Sequence, residues 1–370
     1  MKLVYLANFR IPTKRAHGVQ IMKMAEAFAK RGIEVELLIP WRFDGLNEDP
    51  FVYHQAKKIF KIRTLPNLDL LQWPVGKLGF VITTISFLLS AKFYLFFKRY
   101  DVLYTREPLS GLFFSNFILE IHHLPEKISS TYKYFFKKAK LIVMLNNFLK
   151  KEIAGAGVPG NKILVFPDCV DLEEFDQNIS KETARKKIDL PLDKKIVVYT
   201  GSFSIYDWKG VDVLLEAAKS FGNDYLFVGV GAHNEEEMKQ LEDRYPLKNI
   251  LLKYFIPHQS VIWYLKAADI LVLPNKSGNA ISVWHTSPLK LFEYMAVQRP
   301  IISSDLPSIR EVVGEEEVFL VKPNKPEDLS KAISFLSGEK DLQLKLAANA
   351  YNKVKNYTWD KRVAAIYEKF

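Results

Sequence analysis

The chain has 370 residues, a length that fits two α/β domains of ordinary size. Apolar residues make up 48% of it and charged residues 25%, a balance that excludes a disordered or collagen-like protein. The single cysteine, Cys169, excludes an intramolecular disulfide and a thiolate zinc site. Because this cysteine usage suits a reducing compartment, we expect a globular protein of the cytoplasm.

The net charge of +10 is concentrated in the first half of the chain. Residues 1–168 contain 25 Lys and Arg against 13 Asp and Glu, whereas residues 169–370 contain 27 against 29. Such a basic half either meets an anionic partner, such as a membrane surface, or carries a solvated basic face. No nucleic-acid recognition motif accompanies the charge, so nucleic acid is not an expected partner.

Two apolar stretches bear on export and membrane insertion. The run at residues 3–7 is too short for the core of a signal peptide, so export is not expected. Residues 78–97 reach bilayer-spanning length but include threonines, serines and Lys92. We therefore predict a buried helix there.

The first predicted elements form a strand, helix and strand. Residues 2–7 read as a buried strand, and apolar residues then recur at helical spacing until Gly32, before a second strand at 33–39. This order predicts a parallel βαβ unit at the edge of a doubly wound sheet. Further strands are predicted at 101–105, 117–122, 141–145 and 163–167, with a helix at 146–154.

The same pattern begins again at residue 196. A strand at 196–200, a loop with Gly201, a helix at 211–221 and a strand at 225–229 are followed by strands at 270–274, 300–303 and 318–321. The polar segment 176–193 is predicted to be the linker between the sheets. The sequence therefore predicts two Rossmann-like, doubly wound parallel-sheet domains, residues 1–168 and 169–355, facing a cleft that is the default ligand site.

A candidate phosphate site begins at His285. Ser287 is predicted to be an N-cap and Pro288 the first helical residue, which puts Leu289 and Lys290 in the first turn. The free amides and positive dipole of that turn favour a phosphate.

Three further residues are candidates for the same ligand. Glu293, one turn after Lys290, is placed to accept hydrogen bonds from ribose hydroxyls, or else forms a surface Lys–Glu pair. Gly201 lets the backbone approach the ligand, and Lys209 offers an ammonium to a diphosphate, unless it is an exposed lysine before a helix. Gly18, after the first strand, marks a second close approach or a plain turn.

His122 and His123 follow a predicted strand that contains Glu120. We expect His122 to bond a substrate hydroxyl or to assist proton movement, with a structural histidine as the alternative. No Asp-x-Asp sequence is present, so the usual carboxylate clamp for a nucleotide-bound metal is missing. We therefore expect no metal and no cofactor.

Several motifs in the right order carry a family resemblance. They lie at residues 167–171, 199–202, 208–212, 253–257, 267–274, 287–296 and 300–307. Together they resemble a retaining glycosyltransferase of family 4, with the two-domain GT-B fold, over nearly the whole chain. Gly-x-Gly-x-x-Gly opens neither half, so an NAD-dependent dehydrogenase is unsupported.

The resemblance implies transfer of a sugar from a nucleotide-diphosphate donor to the hydroxyl of a glycan or lipid-linked acceptor, as in cell-surface polysaccharide synthesis. The C-terminal domain would hold the donor, the N-terminal domain the acceptor, and residues 356–370 would cross back to the N-terminal domain. Lys209, His122 and Glu293 are the implied catalytic residues. The implied substrate-binding residues are Gly18, Gly201, Ser202, Tyr254, Phe255, Ile256, His285, Thr286, Ser287, Leu289, Lys290 and Glu293.

The roles within that set follow the family pattern. Glu293 would bind the ribose, Lys209 and the amides near Lys290 the diphosphate, and residues 254–256 would lie near the base. His122 would lie near the transferred sugar. His285 stands where the family's first motif glutamate is usual, and Ser202 where an arginine is usual, which changes the contacts to the donor.

A second basic feature suggests contact with a membrane. Lysines are interleaved here with four aromatic residues, Tyr132, Tyr134, Phe135 and Phe136. This pattern predicts that the segment contacts an anionic membrane surface, at the inner face of the membrane. Two other functions stay open at this stage: a nucleotide-sugar epimerase and a non-catalytic nucleotide-sugar-binding protein of the same architecture.

Overall fold

The computed structural model describes residues 1–43, 46–71, 73–203 and 207–369. These residues form two compact units. Unit 1 comprises Met1–Phe166 and Trp359–Phe370, and unit 2 comprises Pro167–Thr358. The sequence analysis placed these boundaries after residues 168 and 355, whereas the units divide after residues 166 and 358.

Unit 1 contains a sheet of seven parallel strands in the order β3-β2-β1-β4-β5-β6-β7. The strands are β1 (Lys2–Leu6), β2 (Glu34–Pro40), β3 (Lys61–Leu65), β4 (Val102–Thr105), β5 (Phe117–Ile121), β6 (Ala139–Met144) and β7 (Ile163–Val165). β1 lies inside this sheet, between β2 and β4, so the prediction that the first βαβ unit forms an edge is wrong. The side chains of β1 are buried on both faces of the sheet, which is typical of an interior strand.

In the first segment of unit 1, the described residues form the α-helices α1 (Ala16–Lys30), α2 (Pro50–Tyr53), α3 (Gly76–Phe96), α4 (Ser130–Lys138) and α5 (Asn147–Gly155). α1 ends where Gly32 adopts a positive φ of 77°. Asn146 lies just outside α5 and caps it, since its side chain accepts a hydrogen bond from the backbone N–H of Leu149.

Unit 2 contains a sheet of six parallel strands in the order β10-β9-β8-β11-β12-β13. The strands are β8 (Lys195–Thr200), β9 (Tyr225–Ala232), β10 (Ile250–Tyr254), β11 (Ile270–Leu273), β12 (Ile301–Ser304) and β13 (Phe319–Val321). The helices are α6 (Leu172–Phe175), α7 (Lys181–Lys187), α8 (Val211–Ala218), α9 (Glu235–Arg244), α10 (His258–Ala267), α11 (Leu289–Ala296), α12 (Pro307–Arg310), α13 (Pro326–Gly338) and α14 (Lys340–Val354). Two apolar clusters pack in unit 2, and both include residues of its strands.

The segment predicted to be a linker, 176–193, is part of unit 2. It contains α7, whose Arg185 is buried and donates to the carbonyl of Ala267 at 3.0 Å and to Asp269 at 2.6 Å. The linker prediction is therefore wrong, because the polar side chains of this segment make tertiary hydrogen bonds. Residues near the two ends of unit 2 are joined by a hydrogen bond, in which the N–H of Val170 donates to the carbonyl of Tyr357 at 3.0 Å.

The last helix, α15 (Trp359–Tyr367), belongs to unit 1. Its Arg362 is fully buried and donates to Glu120 of β5 at 2.8 Å. This ion pair attaches the C-terminal segment to the sheet of unit 1.

Candidate functional site

The candidate anion site of unit 2 lies where β8 ends. Gly201 follows this strand with φ +132°, a conformation that favours glycine. A Cβ atom at Gly201 would lie 2.7 Å from Nζ of Lys290. The absent side chain is therefore what lets the Lys290 ammonium lie against the backbone of this loop.

The ammonium of Lys290 is buried and has no hydrogen-bond partner among the described residues. It lies 4.0 Å from the ring centroid of Tyr199, whose hydroxyl donates to the carbonyl of Ser202 at 3.1 Å. The hydroxyl of Ser202 is also buried, and no described residue bonds it. Burial and the neighbouring Lys209 lower the pKa of Lys290 well below its usual value. A buried cation without an acceptor fits an anionic ligand.

Lys209 ends a short helical turn, Asp207–Lys209, directly before α8. Burial lowers the pKa of Lys209 to about 8. Lys276, whose backbone N–H donates to the carbonyl of Trp208 at 2.7 Å, differs, since its ammonium pairs with Asp207 at 2.9 Å and with Asp212 at 2.8 Å. Both lysines predicted to meet a diphosphate thus have lowered pKa values, and the charge of Lys209 contributes to the lowered pKa of Lys290.

The start of α11 differs from the prediction. Pro288 is the N-cap, and the hydroxyl of Ser287 accepts a hydrogen bond from the N–H of Asp168 at 2.9 Å. Ser287 is therefore not the cap, because the backbone stays extended through Pro288. The Ser287 hydroxyl instead bonds the backbone at the start of unit 2. No described side chain caps this helix, so the first-turn amides of Leu289 and Lys290 have no side-chain acceptor.

Glu293 belongs to a buried chain of three ionisable side chains. Nε2 of His258 lies 2.8 Å from its carboxylate, and Nδ1 of His258 lies 3.2 Å from the carboxylate of Glu174. Burial opposes the charge on the imidazole, but Glu293 and Glu174 raise the pKa of His258 to about 10. Glu293 therefore pairs with His258, and the surface Lys–Glu alternative is wrong. Sequence reasoning missed His258 and Glu174, which no local pattern connects to Glu293.

Aromatic side chains lie at the end of β10. Tyr254 is 46% exposed and Phe255 38% exposed, whereas Ile256 packs against the core. The two exposed rings offer faces on which a planar base can stack. Asn275, which follows β11 closely, is 1% exposed, and its side-chain amide has no hydrogen-bond partner among the described residues. Sequence reasoning missed it.

His285 and Thr286 lie before α11. His285 is buried and ends a π-helical turn, Ile281–His285. The N–H of Thr286 donates to the carbonyl of Ile281 at 2.8 Å, which closes this turn. The π-helical turn is an irregular geometry often found at functional sites.

In unit 1, His122 follows β5 and bonds the carboxylate of Glu120 at 2.5 Å. Glu120 also accepts from Gln20 at 2.5 Å, from Arg362 at 2.8 Å and from the hydroxyl of Tyr104. Despite burial, Arg362 holds the pKa of Glu120 below its usual value. Burial and then Arg106 lower the pKa of His122 to about 3, which favours a neutral imidazole.

Gly18 lies in the first turn of α1, not in a loop. A Cβ atom there would lie 2.5 Å from the side chain of Thr13 and 2.6 Å from that of His54. The packing of these two residues is enough to require glycine. The predicted approach to a ligand stays a prediction.

The segment predicted to meet a membrane is mostly internal. Phe135 and Phe136 of α4 are buried in unit 1, Tyr132 is half-buried, and Tyr134 alone of the four is exposed. The apolar side of α4 packs on the core, so most of these aromatic side chains do not reach the surface, and contact of this segment with a membrane stays a prediction. Among the described residues, no group of three His, Cys, Asp or Glu side chains is placed to hold a metal ion.

Two family profiles match nearly all of the chain. The family described as "Glycosyltransferase Family 4" matches residues 17–174, and the one described as "Glycosyl transferases group 1" matches residues 180–353. The chain belongs to the family 4, group 1 glycosyltransferases. The two parallel-sheet units have the GT-B fold of such glycosyltransferases.

Individual relatives of this glycosyltransferase agree with that assignment. It is 25% identical over 252 residues to the putative teichuronic acid biosynthesis glycosyltransferase TuaC of Bacillus subtilis, covering 67% of this chain and 60% of the relative. It is 28% identical over 237 residues to N,N'-diacetylbacillosaminyl-diphospho-undecaprenol alpha-1,3-N-acetylgalactosaminyltransferase of Campylobacter jejuni, covering 62% and 60%. The match thus spans about 60% of the length of these curated relatives.

A solved structure extends the likeness of this glycosyltransferase to the full chain. The crystal structure of HepE from Anabaena in complex with UDP-glucose superposes with a TM-score of 0.76 at 14% identity, covering 100% of both chains. At that identity, the likeness establishes the fold.

Proposed function

We propose that this family 4 glycosyltransferase transfers a sugar from a nucleotide-diphosphate sugar, held by unit 2, to a hydroxyl of a glycan or lipid-linked acceptor, held by unit 1, in the cytoplasm. The anomeric configuration is retained, and no metal ion takes part. The observation that carries the proposal is the buried Lys290 ammonium, which lies against the Gly201 loop and has no hydrogen-bond partner among the described residues. A buried cation of this kind and an uncapped helix start suit a diphosphate.

Two comparisons support the chemical classes of the substrates. HepE, which shares the fold, is described in complex with UDP-glucose. The Campylobacter relative is named for a transfer to a sugar on diphospho-undecaprenol, which favours a lipid-linked acceptor. Membership of the family does not favour the epimerase or the non-catalytic alternative.

The proposed reaction needs no protein nucleophile. The bond between the anomeric carbon and the diphosphate oxygen breaks, and the acceptor oxygen forms its bond to the same face of that carbon. The acceptor proton passes to the departing phosphate oxygen. Lys209, Lys290 and the amides at the start of α11 stabilise the charge that grows on the diphosphate, which is the main catalytic contribution. Glu293, held by His258, orients the ribose, and Tyr254 and Phe255 stack on the base.

The remaining residues contact the sugars. His285 and Thr286 contact the donor sugar, with Ser202 and Gly201 beside the diphosphate. His122 bonds the transferred sugar. Glu120 fixes the orientation and the tautomer of the His122 imidazole, since its carboxylate forms a hydrogen bond with Nε2.

A thermal-shift series with nucleoside diphosphates tests the donor site first. A diphosphate that binds the native state raises its melting temperature, by an amount set by ligand concentration relative to Kd. We expect Lys290→Gln to abolish the shift, whereas Lys239→Gln, on the exposed side of α9, keeps it. Equal shifts in both variants would contradict the anion site.

The transfer itself is tested with the matching nucleotide sugar and an undecaprenyl-diphosphate-linked acceptor. We expect a product whose anomeric configuration, read by NMR coupling constants, equals that of the donor, in the presence of excess chelator. An inverted product, or isomerised donor sugar formed without acceptor, would contradict the retaining transferase.

A further inference from the structure

The helix α3 has an apolar face that the described protein does not cover. It has 21 residues and is long and apolar enough to cross a bilayer by length and composition. Only 39% of its most apolar window is buried, so the prediction of a buried helix is wrong in part. The exposed apolar residues of the helix and its C-terminal end are Leu78, Phe80, Val81, Ile82, Leu89, Phe93, Phe96 and Phe97.

The exposed residues follow the period of an α-helix. Leu78, Ile82, Leu89, Phe93 and Phe96 recur at steps of whole turns, so they form one stripe along about 30 Å of helix. Phe93 and Phe96 are 71% and 79% exposed. A contiguous exposed apolar patch of this kind marks an interaction surface.

The other face of α3 is fixed to the sheet of unit 1. Phe87, Leu88 and Ala91 are buried in the core cluster that includes β1, β4 and β5. The hydroxyl of Thr84 accepts from the side chain of Asn8 at 2.9 Å, directly after β1. Because these contacts belong to the folded unit, α3 offers one side to an apolar medium and does not span it.

The charge around the stripe selects the medium. Residues 70–100 contain four basic residues, Lys77, Lys92, Lys98 and Arg99, and no acidic residue. All four are exposed: Lys77 precedes the stripe, Lys98 and Arg99 follow it, and Lys92 lies within its span. Asp69, just before this segment, is buried and paired with Arg42 at 3.1 Å. A second copy on this face would bring the same cations together in a two-fold interface, which disfavours self-association.

Aromatic side chains lie at the N-terminal end of the stripe. Trp73 is 65% exposed, and the exposed rings of Trp41 and Phe43 lie 4.3 Å apart. The N–H of Phe43 donates to Asp69 at 3.2 Å, which holds this pair close to the loop before α3. Tryptophan favours the boundary between lipid headgroups and acyl chains.

We infer that the exposed face of α3, with Trp41, Phe43 and Trp73, is a surface that inserts into the headgroup region of an anionic phospholipid bilayer. The helix lies in the plane of the membrane, its stripe enters the acyl boundary, and the flanking lysines and Arg99 contact lipid phosphates. This replaces α4 as the membrane surface and places the protein at the inner face of the membrane. The inference concerns lipid binding and holds whether or not the transfer reaction is as proposed.

Vesicle sedimentation tests the surface. The intact protein is mixed with vesicles of phosphatidylglycerol or of phosphatidylcholine at low and at high salt. We expect binding to phosphatidylglycerol that weakens with salt, because screening reduces the contribution of the lysines. The double variant Leu89→Glu/Phe93→Glu should bind at least about tenfold more weakly, since it removes two inserted apolar side chains.

A charge-matched control separates the stripe from added charge. Val52→Glu/Leu344→Glu changes two side chains that are 71% and 70% exposed elsewhere in the protein, and it should bind nearly as wild type. Replacing Lys92, Lys98 and Arg99 by Gln should weaken binding about fivefold per charge. Equal binding of both glutamate variants would overturn the inference. A dimer that the stripe variant dissociates, without vesicle binding by wild type, would show that the face joins two copies.

The unaltered protein gives an independent measurement if the stripe variant does not fold. Its tryptophan fluorescence should be quenched by vesicles with brominated acyl chains, and Trp73→Phe should reduce the quenched fraction. Absence of quenching in protein that sediments with vesicles would overturn the placement at α3.

Discussion

Replacing Lys209 by Met gives the sharpest test of the anion site, because it should stabilise the protein while impairing its activity. Burial lowers the pKa of Lys209 from 10.5 to about 8. Each unit of difference between the folded and unfolded states corresponds to about 1.4 kcal/mol. Holding this ammonium charged in the folded, ligand-free protein therefore costs up to about 3 kcal/mol.

The sign of the pH dependence follows from the lowered pKa. Below pH 8 the lysine is charged in both states, and the full cost is present. Between pH 8 and 10.5 the unfolded chain binds more protons than the folded protein. The free energy of unfolding of wild type therefore rises with pH relative to that of the variant. Lys209→Met should therefore be more stable than wild type at pH 7, and the difference should vanish near pH 10.5.

The assay is the melting temperature of both proteins across this pH range, with about 2–4 °C expected per kcal/mol. Lys276→Met is the matched control, because the pKa of Lys276 is raised by its bonds to Asp212 and Asp207 against the opposing effect of burial. It should destabilise where Lys209→Met stabilises. Turnover should fall about a hundredfold in Lys209→Met. A variant that is less stable than wild type at pH 7 and turns over normally would refute the reasoning.

Three further predictions address the other contacts. Gly201→Ala should abolish the melting-temperature shift by a nucleoside diphosphate, because the added methyl lies 2.7 Å from the Lys290 ammonium at a strained φ; an unchanged shift in the same assay would contradict the close approach. The pKa of His258 is raised to about 10, so its stabilising contribution is full below pH 6.5 and is lost as pH rises to 10, and wild type should lose more melting temperature than His258→Gln across that range. Glu120→Gln should destabilise unit 1 by about 3–5 kcal/mol by leaving Arg362 buried without its carboxylate, as measured by urea unfolding; Glu120→Leu combined with Arg362→Met should restore part of that loss, and no recovery would speak against the pair.

Local patterns predicted most strands of the two parallel sheets, but they missed the edge strands β3 and β10. Apolar runs such as residues 196–200 and 225–229 correspond to β8 and β9, since strands buried on both faces leave a continuous apolar signal. The loop after β8, with Gly201 and Lys209, was also a candidate from the sequence, because ligands of such sheets bind at the carboxyl ends of the strands. The resemblance to family 4 rested on motifs spread between residues 167 and 307 and is confirmed by the family profiles.

The pairing of side chains was decided by the tertiary structure. Ser287 bonds Asp168 instead of capping α11, and Glu293 pairs with His258, because buried polar groups take partners that lie far away in sequence. The apolar character of α3 was visible in the sequence. The spacing of its apolar residues, however, is compatible with a buried helix and with a half-exposed one. Only the packing of one face on β1, β4 and β5 determined which side chains remain exposed. Sequence specifies which residues are apolar or charged along the chain, whereas burial and ion pairing depend on segments that meet only in the folded protein.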